Sequence, residues 1–319
     1  MQQAPGVWRI TTPLPFRPRE VHAYLVELHG GEWMLVDGGM DSASSWAALD
    51  EGVRAHTPWN HIRLHVVTHM HMDHIGLAAR IRTASGAPLA MGKLDAERST
   101  HAALHPNEEA EYRAALFREN GLPPGMLERL EQRGPTPTTE PLRVQHLLGG
   151  LGGDLPLAAG WRWIWTPGHT AGHMALFRPA DRVLIAGDAV LPRITPTIGV
   201  NRQRSDPVGD YLDALTRLEA LQLACILPGH GEPITRPAER LAELHHATLA
   251  ESLAIGELLS GRPVTAWEVA RQRYPDRELP PSAWVQALRE TLAHLQHLVA
   301  AGKARRELTS RKVLCFALA

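Results

Sequence analysis

A layered α/β fold is predicted for this chain of 319 residues, because short apolar runs bounded by Gly or Pro alternate with stretches of helical spacing. The runs are HAYLVEL and EWMLVDG near the start, then LHVVTH, WRWIWTPGH, RVLIAGD and ACILPGH. Between them, Ser42 to Ala55 and Ile75 to Ser85 carry apolar side chains at helix period. The length suits about two domains of ~100–200 residues each. Composition bounds the function: 44% apolar, 21% charged, and 33 basic against 34 acidic side chains leave a net charge of -1. No global charge draws such a chain to nucleic acid. No apolar stretch approaches the ~20 residues of a membrane helix, and the start MQQAPGVWRI has no basic segment followed by an apolar core. A cytoplasmic protein with no membrane partner is expected. Cys225 and Cys315 each sit in an apolar run, so buried inert thiols are expected rather than a disulfide.

Taken in order, Pro5 to Gly39 reads as strands separated by turns. Lys93 to Gly134 is a polar, helix-leaning stretch broken at GLPPG, placed between two core strands like an inserted cap. After Val208 a helix is expected, with Asp206 capping its first turn, Pro207 at its first position, and Tyr211, Leu215 and Leu218 along one face. A further helix spans Ala238 to Leu259 and stops at Ser260 and Gly261. The texture then changes to a short helix at TAWEVARQRY, a Pro-rich break at PDRELPP, a helix from Ser282 to Ala301 and a basic hairpin, GKARRELTSRKVLCFAL. Residues 261–319 hold ten Lys or Arg against five Asp or Glu, which makes this part +5 and the preceding part -6.

The chain has 18 histidines, and the segment THMHMDHIG gathers His69, His71, Asp73 and His74 directly after the apolar run LHVV. Alternation puts His69, His71 and Asp73 on one side if the strand continues, and a turn would bring His74 beside them. Imidazoles and a carboxylate crowded in this way need a cation between them, and this ligand chemistry suits zinc. The pattern recurs at three strand ends: His169 after WIWTPG, Asp188 after VLIAG and His230 after CILPG. One Gly–His or Gly–Asp pair is ordinarily a bland strand end, but together they place ligands at one sheet edge. His101, His105, His245 and His246 fall on expected helices, where a solvated face is the simpler reading.

The ordered set His69-x-His71-x-Asp73-His74, His169, Asp188 and His230 resembles the metallo-β-lactamase superfamily. The likeness covers about residues 5–255. It implies an αββα sandwich with the metals at one edge of two packed sheets, as a catalytic domain of residues 1–255 with a helical insert at about 93–134. It also implies the metal roles: His69, His71 and His169 around one ion, Asp73, His74 and His230 around the other, and Asp188 with a water between them. Two Zn2+ are the implied cofactors, with Mn2+ or Fe2+ as alternatives. TPGHTAGH, from Thr166 to His173, is similar to the glyoxalase II and lactonase branches, and Asp37 in LVDGG matches the family's early supporting aspartate. Neither cysteine stands at a ligand position, unlike many zinc lactamases, which disfavours antibiotic hydrolysis. Residues 256–319 resemble the small winged-helix domain of lactamase-like 2 proteins, and a homodimer through the insert or tail follows from the same likeness.

The expected chemistry is hydrolysis. Coordination lowers the pKa of water from about 15.7 to about 7, and ions ~3.5–4 Å apart stabilise the hydroxide they share while one polarises the substrate oxygen. Asp73 is the expected catalytic acid, orienting the nucleophile and passing its proton to the leaving group. His173 reads equally as a donor outside the ligand set and as an ordinary strand histidine. A small-molecule ester, thioester or lactone is the expected substrate. The rival is phosphodiester cleavage of single-stranded RNA, since the branch includes an endoribonuclease and Lys303, Arg305, Arg306, Arg311 and Lys312 gather near the wing. That cluster is short and has only Phe316 as a nearby aromatic. A mononuclear iron dioxygenase and a metal-binding regulator without turnover are weaker readings, set back by the complete set of seven ligand positions.

Overall fold

The direction in which alternate side chains point divides the core into layers. In the computed structural model, which describes residues 1–131, 141–275 and 279–319, seven strands form one sheet in chain order. These are β1 (Gln2–Ala4), β2 (Val7–Pro13), β3 (Glu20–Glu27), β4 (Trp33–Val36), β5 (Ile62–Val67), β6 (Leu89–Gly92) and β7 (His146–Leu148). β8 (Gly152–Asp154), β9 (Arg162–Trp165), β10 (Met174–Arg178), β11 (Val183–Gly187) and β12 (Cys225–Pro228) form the second sheet, in the order β12-β11-β10-β9-β8. β4 to β7 run parallel, as do β11 and β12, and the remaining pairs in the two sheets are antiparallel.

Ten helices are described: α1 (Ala43–Arg54), α2 (Met72–Ile75), α3 (Ala78–Ser85), α4 (Lys93–Leu104), α5 (Pro106–Glu119), α6 (Pro124–Glu131), α7 (Pro207–Glu219), α8 (Pro237–Glu257), α9 (Ala266–Arg273) and α10 (Pro281–Ala300). Tyr24, Met34, Val36, Leu64 and Val66 of the first sheet meet Met174, Leu176, Val183, Ile185 and Leu227 of the second in one buried cluster. The opposite face of the first sheet, with Leu25 and Leu35, packs on Leu49 and Val53 of α1 and Ile81 of α3. The opposite face of the second, with Ala175, Phe177, Leu184 and Ala186, packs on α7, α8 and α10. The expected αββα order is therefore the observed one, and each fully buried Leu or Val contributes about 1.5–3 kcal/mol to holding it.

Local signals account for helices that pack on the two sheets. Ser42 accepts the Ser45 N–H at 3.1 Å and caps α1, and Asp206 accepts the Gly209 N–H at 2.8 Å and caps α7, with Pro207 at its first position. The helix expected from Ile75 to Ser85 is instead split into α2 and α3. A Cβ on Gly76 would stand 2.6 Å from the Asp41 nitrogen and 3.0 Å from the Gly39 oxygen. The Leu77 N–H bonds to that Gly39 oxygen at 3.1 Å rather than to the helix. The loop after β4 is thus wedged against the break.

The insert is helical, as α4, α5 and α6, with GLPPG at the break between the last two; the end of the expected insert, 132–134, lies outside the described residues, as does the middle of the Pro-rich break, 276–278. Thr265 and Glu268 form a reciprocal capping box that starts α9. The hairpin is β13 (Ala304–Leu308) paired antiparallel with β14 (Leu314–Leu318). Leu288 and Leu292 of α10 and Phe316 of β14 share one core with Val208, Leu215 and Leu244 of the sandwich's outer helices. The expected boundary at 255/256 falls in the last turn of α8. Cys315 is buried as expected, Cys225 is only half-buried, and desolvation pushes both thiols above the ordinary cysteine value. No described helix is long and apolar enough to cross a membrane.

Asp206 also receives His297 Nδ1 of α10 at 3.1 Å, so one carboxylate serves two elements. Replacing Asp206 with Ala is expected to cost about 1–2 kcal/mol, read as a lower urea midpoint with an unchanged slope.

Candidate metal centre

β5 ends at Val67, and the chain does not continue as the strand that sequence alternation supposed. It bends through Thr68–Met70 and enters the single turn α2, so that loop geometry and a helical turn, rather than strand pleating, turn His69, His71, Asp73 and His74 inward. His169 follows β9 and Asp188 follows β11, while His230 follows β12. All seven residues meet at this edge of the sandwich. Three groups of donor atoms there could hold an ion: His69, His71 and His169; His69, His74 and Asp188; and Asp73, His74 and His230.

Hydrogen bonds behind the site fix which nitrogen faces inward. His74 Nδ1 donates to Asp37 Oδ2 at 2.8 Å, His169 Nδ1 to the Thr197 carbonyl at 2.9 Å and His230 Nδ1 to the Glu20 carbonyl at 2.7 Å. The Thr68 hydroxyl donates to Asp37 and accepts from His69 Nδ1 at 3.1 Å. Each of these four rings therefore presents Nε2 inward, and partners of this kind set the tautomer of metal-binding histidines. His71 faces the others with Nδ1, 3.0 Å from His69 Nε2 and 2.8 Å from His169 Nε2. A proton on His71 Nδ1 could serve only one of these two contacts, whereas a cation between the three nitrogens would serve all of them.

The second half differs because it contains carboxylates. His230 Nε2 is 3.3 Å from Asp73 Oδ2 and His74 Nε2 is 4.0 Å from the same oxygen. Asp188 spans both halves: Oδ1 is 3.4 Å from His74 Nε2, and Oδ2 is 3.6 Å from His169 Nε2. His74 Nε2 and Asp188 Oδ1 are buried with no hydrogen-bond partner, a costly state for polar atoms that a cation would relieve. A Cβ on Gly229 would lie 2.5 Å from Asp188 Oδ1 and 2.7 Å from His74 Cε1, so the glycine leaves that space to the two ligands. The residues present fit divalent cations, and nitrogen with carboxylate oxygen is a donor set suited to zinc.

Electrostatics separate the two halves. Burial, reinforced by His169, pushes His71 down to about 3, and burial with the neighbouring His74 and His71 takes His69 well below the ordinary imidazole value. Burial would lower His74 and His230 too, but carboxylates outweigh it. Asp188 and Asp37 hold His74 well above the usual range, and hydrogen bonds to Asp188 and Asp73 raise His230 to about 9. Burial opposes ionisation of Asp73, yet the His230 contact and the His74 charge bring it down to about 2. The region around Asp73, His74 and His230 thus draws positive charge, as protons when no cation is bound.

Two residues behind the ligands complete the site. His173 is fully buried, accepts the Asp188 N–H on Nε2 at 3.1 Å and bonds Thr166 through Nδ1 at 2.7 Å. It positions Asp188 and faces neither cavity at the centre. Asp95, at the start of α4, was not distinguished in the sequence. Its carboxylate accepts the Met70 N–H at 2.9 Å, the Thr170 hydroxyl at 2.6 Å and the Gly172 N–H at 2.6 Å. It ties together the two ligand-bearing loops, and burial raises its pKa to about 6. His101 and His105 do not lie on a simply solvated face: they stand 3.4 and 3.3 Å from the Glu108 carboxylate, half-exposed.

A two-part His/Asp centre at the strand-end edge of an αββα sandwich defines the class of protein. Residues 16–230 match the sequence profile of the metallo-beta-lactamase superfamily, and residues 249–319 match that of the metallo-beta-lactamase-like C-terminal domain. The chain belongs to the metallo-beta-lactamase superfamily. It is 28% identical over 304 residues, 91% of each chain, to the probable metallo-hydrolase YqjP of Bacillus subtilis (strain 168). It is 32% identical over 114 residues, 35% of this chain and 36% of the other, to the Beta-lactamase-like protein 2 homolog of Caenorhabditis elegans. The crystal structure of a metallo-beta-lactamase family protein from Thermus thermophilus superposes with a TM-score of 0.81 at 28% identity, covering 99% of both chains.

Protons and cations compete for the same nitrogens, and the competition is unequal. In the cation-free site His230 binds its proton up to about 9 whereas His71 does so only near 3. Lowering the pH of zinc-loaded protein from alkaline to mildly acidic is therefore expected to release cation from the Asp73–His74–His230 group first. Bound metal, measured after dialysis at stepped pH, should begin to fall in the range where His230 gains its proton.

Proposed function

We propose that this metal-dependent hydrolase cleaves an ester, thioester or lactone bond in a small molecule, using two cations, zinc by donor chemistry, at the seven-residue centre. The observation that carries the reading is Asp188, whose two oxygens stand 3.4 and 3.6 Å from ring nitrogens of the two halves. That is the placement of a ligand shared between two ions. Bound there, two divalent cations supply acidified water and a Lewis acid for the carbonyl oxygen.

The chain's own residues do the rest. Asp73 is the more open of the two carboxylates, 19% exposed against 10% for Asp188, and it borders a cleft of about 670 Å³ together with His71, His169 and His230. Its histidine neighbours keep Asp73 ionised, so it is available to orient the attacking water, take its proton and pass it to the departing oxygen or sulfur. Phe16, Pro18 and Ile194 give the cleft apolar walls. A second cavity of about 390 Å³ adjoins it at His71 and His169. Both volumes fall within the ~300–1,000 Å³ of small-molecule sites.

One observation favours the RNA reading: Lys303, Arg305, Arg306, Arg311 and Lys312 are all exposed on or beside the hairpin, although Arg305 is paired with Glu307 at 2.8 Å. The order of α9, α10 and hairpin supports the winged-helix likeness of this region.

The test is to load the purified chain with metal and assay a thioester, a lactone and a labelled single-stranded RNA. Asp73→Ala is expected to lose about a hundredfold to ten-thousandfold in turnover of the acyl substrate, and His169→Ala to lose bound metal as well as turnover. Cleavage of RNA alone, abolished by Lys303→Ala/Arg305→Ala/Arg306→Ala with the metal content intact, would overturn the acyl reading.

A further inference from the structure

The two cavities share His71, His169, Gly199 and Arg289 as common border. The smaller one is lined mainly by apolar groups, among them Met72, Ala102, Leu116, Phe117, Val200 and Val285. Its other charged groups have protein partners. Arg98 is paired with Glu109, which also receives Arg202 at 3.0 Å, and the Asp95 carboxylate is occupied by the ligand loops.

Arg289 differs. It projects from α10, and the hydrogen bond described for its guanidinium is a long one, 3.4 Å to the Val200 carbonyl. No described carboxylate makes an ion pair with it, and the adjacent Glu290 instead accepts from Thr197. Its fork of donors is open to the cavity but crowded by protein, and desolvation weakens its hold on its proton relative to an ordinary arginine. A guanidinium remains charged at any working pH, so this is a fixed positive charge, partly offset by the nearby Glu290 without a direct ion pair, beside two of the residues facing the metal centre. A planar donor fork of this kind matches carboxylate or phosphoryl oxygens in two-point contact.

We propose that Arg289, at the junction of the two cavities, binds an anionic group of the substrate, a carboxylate or a phosphoryl group, and so selects acidic esters or thioesters with an apolar body. The reading of the reaction as acyl hydrolysis is taken from the preceding section, but the anion site stands on its own geometry. It also gives α10 a part in choosing the substrate. The arginine reaches the border of the two cavities from a helix that lies outside the matched residues 16–230.

The probes are straight-chain monocarboxylates, α,ω-dicarboxylates of matched length and the corresponding ω-phosphonocarboxylates. Their binding to the metal-loaded full chain is measured by calorimetry, so that one carboxylate can reach the centre while the second anion reaches Arg289. In the wild type, at least one doubly anionic series should bind about tenfold or more tighter than the monocarboxylate, and the better series identifies carboxylate or phosphoryl recognition. Arg289→Ala and the bulkier Arg289→Gln should abolish that advantage, and Arg289→Lys should keep part of it; urea unfolding checks that each is folded. The proposal is overturned if the wild type shows no advantage at any chain length, or if the advantage survives in both Arg289→Ala and Arg289→Gln. Loss of all ester and thioester turnover with the binding advantage intact would instead remove the hydrolase reading and leave the anion site standing.

Discussion

The constraint on which the structure turns is the balance of charge at one edge of the sandwich. Asp37, Asp73 and Asp188 are brought within reach of His74 and His230 where burial removes most of the water that would solvate them. Ionised carboxylates in such a place demand positive charge, and without it the strand ends would repel one another. Protonated His74 and His230 answer that demand when no cation is bound, and a bound cation would supply the charge in their place. Metal binding and folding are therefore coupled at this edge, since cations that bind only the assembled site stabilise the arrangement that assembles it.

The rest of the protein can be read as support for that edge. Parallel strands β4, β5 and β6 end side by side, and so do β11 and β12, so loops from distant parts of the chain emerge together. Behind them, Asp37 fixes Thr68 and His74, Asp95 joins the loop of Met70 to that of Thr170, and His173 holds the backbone of Asp188. These are hydrogen bonds among buried groups, where each partner left unmatched costs about 1–3 kcal/mol. The ligand positions are consequently set by packing and by polar pairing at once.

The ligands were legible because their signal is local: a dense His/Asp run, and three polar residues that each follow an apolar run and a glycine. The sandwich was legible for the same reason, since alternating strands and amphipathic helices declare themselves over short windows. Asp95 was not, because its partners are up to 77 residues away and an acid in the first turn of a helix has an ordinary explanation in the helix dipole. Arg289 carries no local signal, since a cation on an amphipathic helix is ordinary. The split between α2 and α3 was missed because Gly76 answers to a contact with the loop after β4, which helical periodicity does not encode. His173 was ambiguous until its two partners were visible.

Thr197 links features that the sequence keeps far apart. Its carbonyl orients His169, and its hydroxyl receives Gln286 from α10 at 2.7 Å. The stretch that carries it is also fastened by Arg240 of α8, which donates to the carbonyls of Leu191 and Ile194 at 2.7 and 2.8 Å. An imidazole in the catalytic edge is thus braced through one intermediary by a helix of the appended segment. One helix therefore holds both the arginine at the cavity border and, through Gln286, the brace behind the ring of His169.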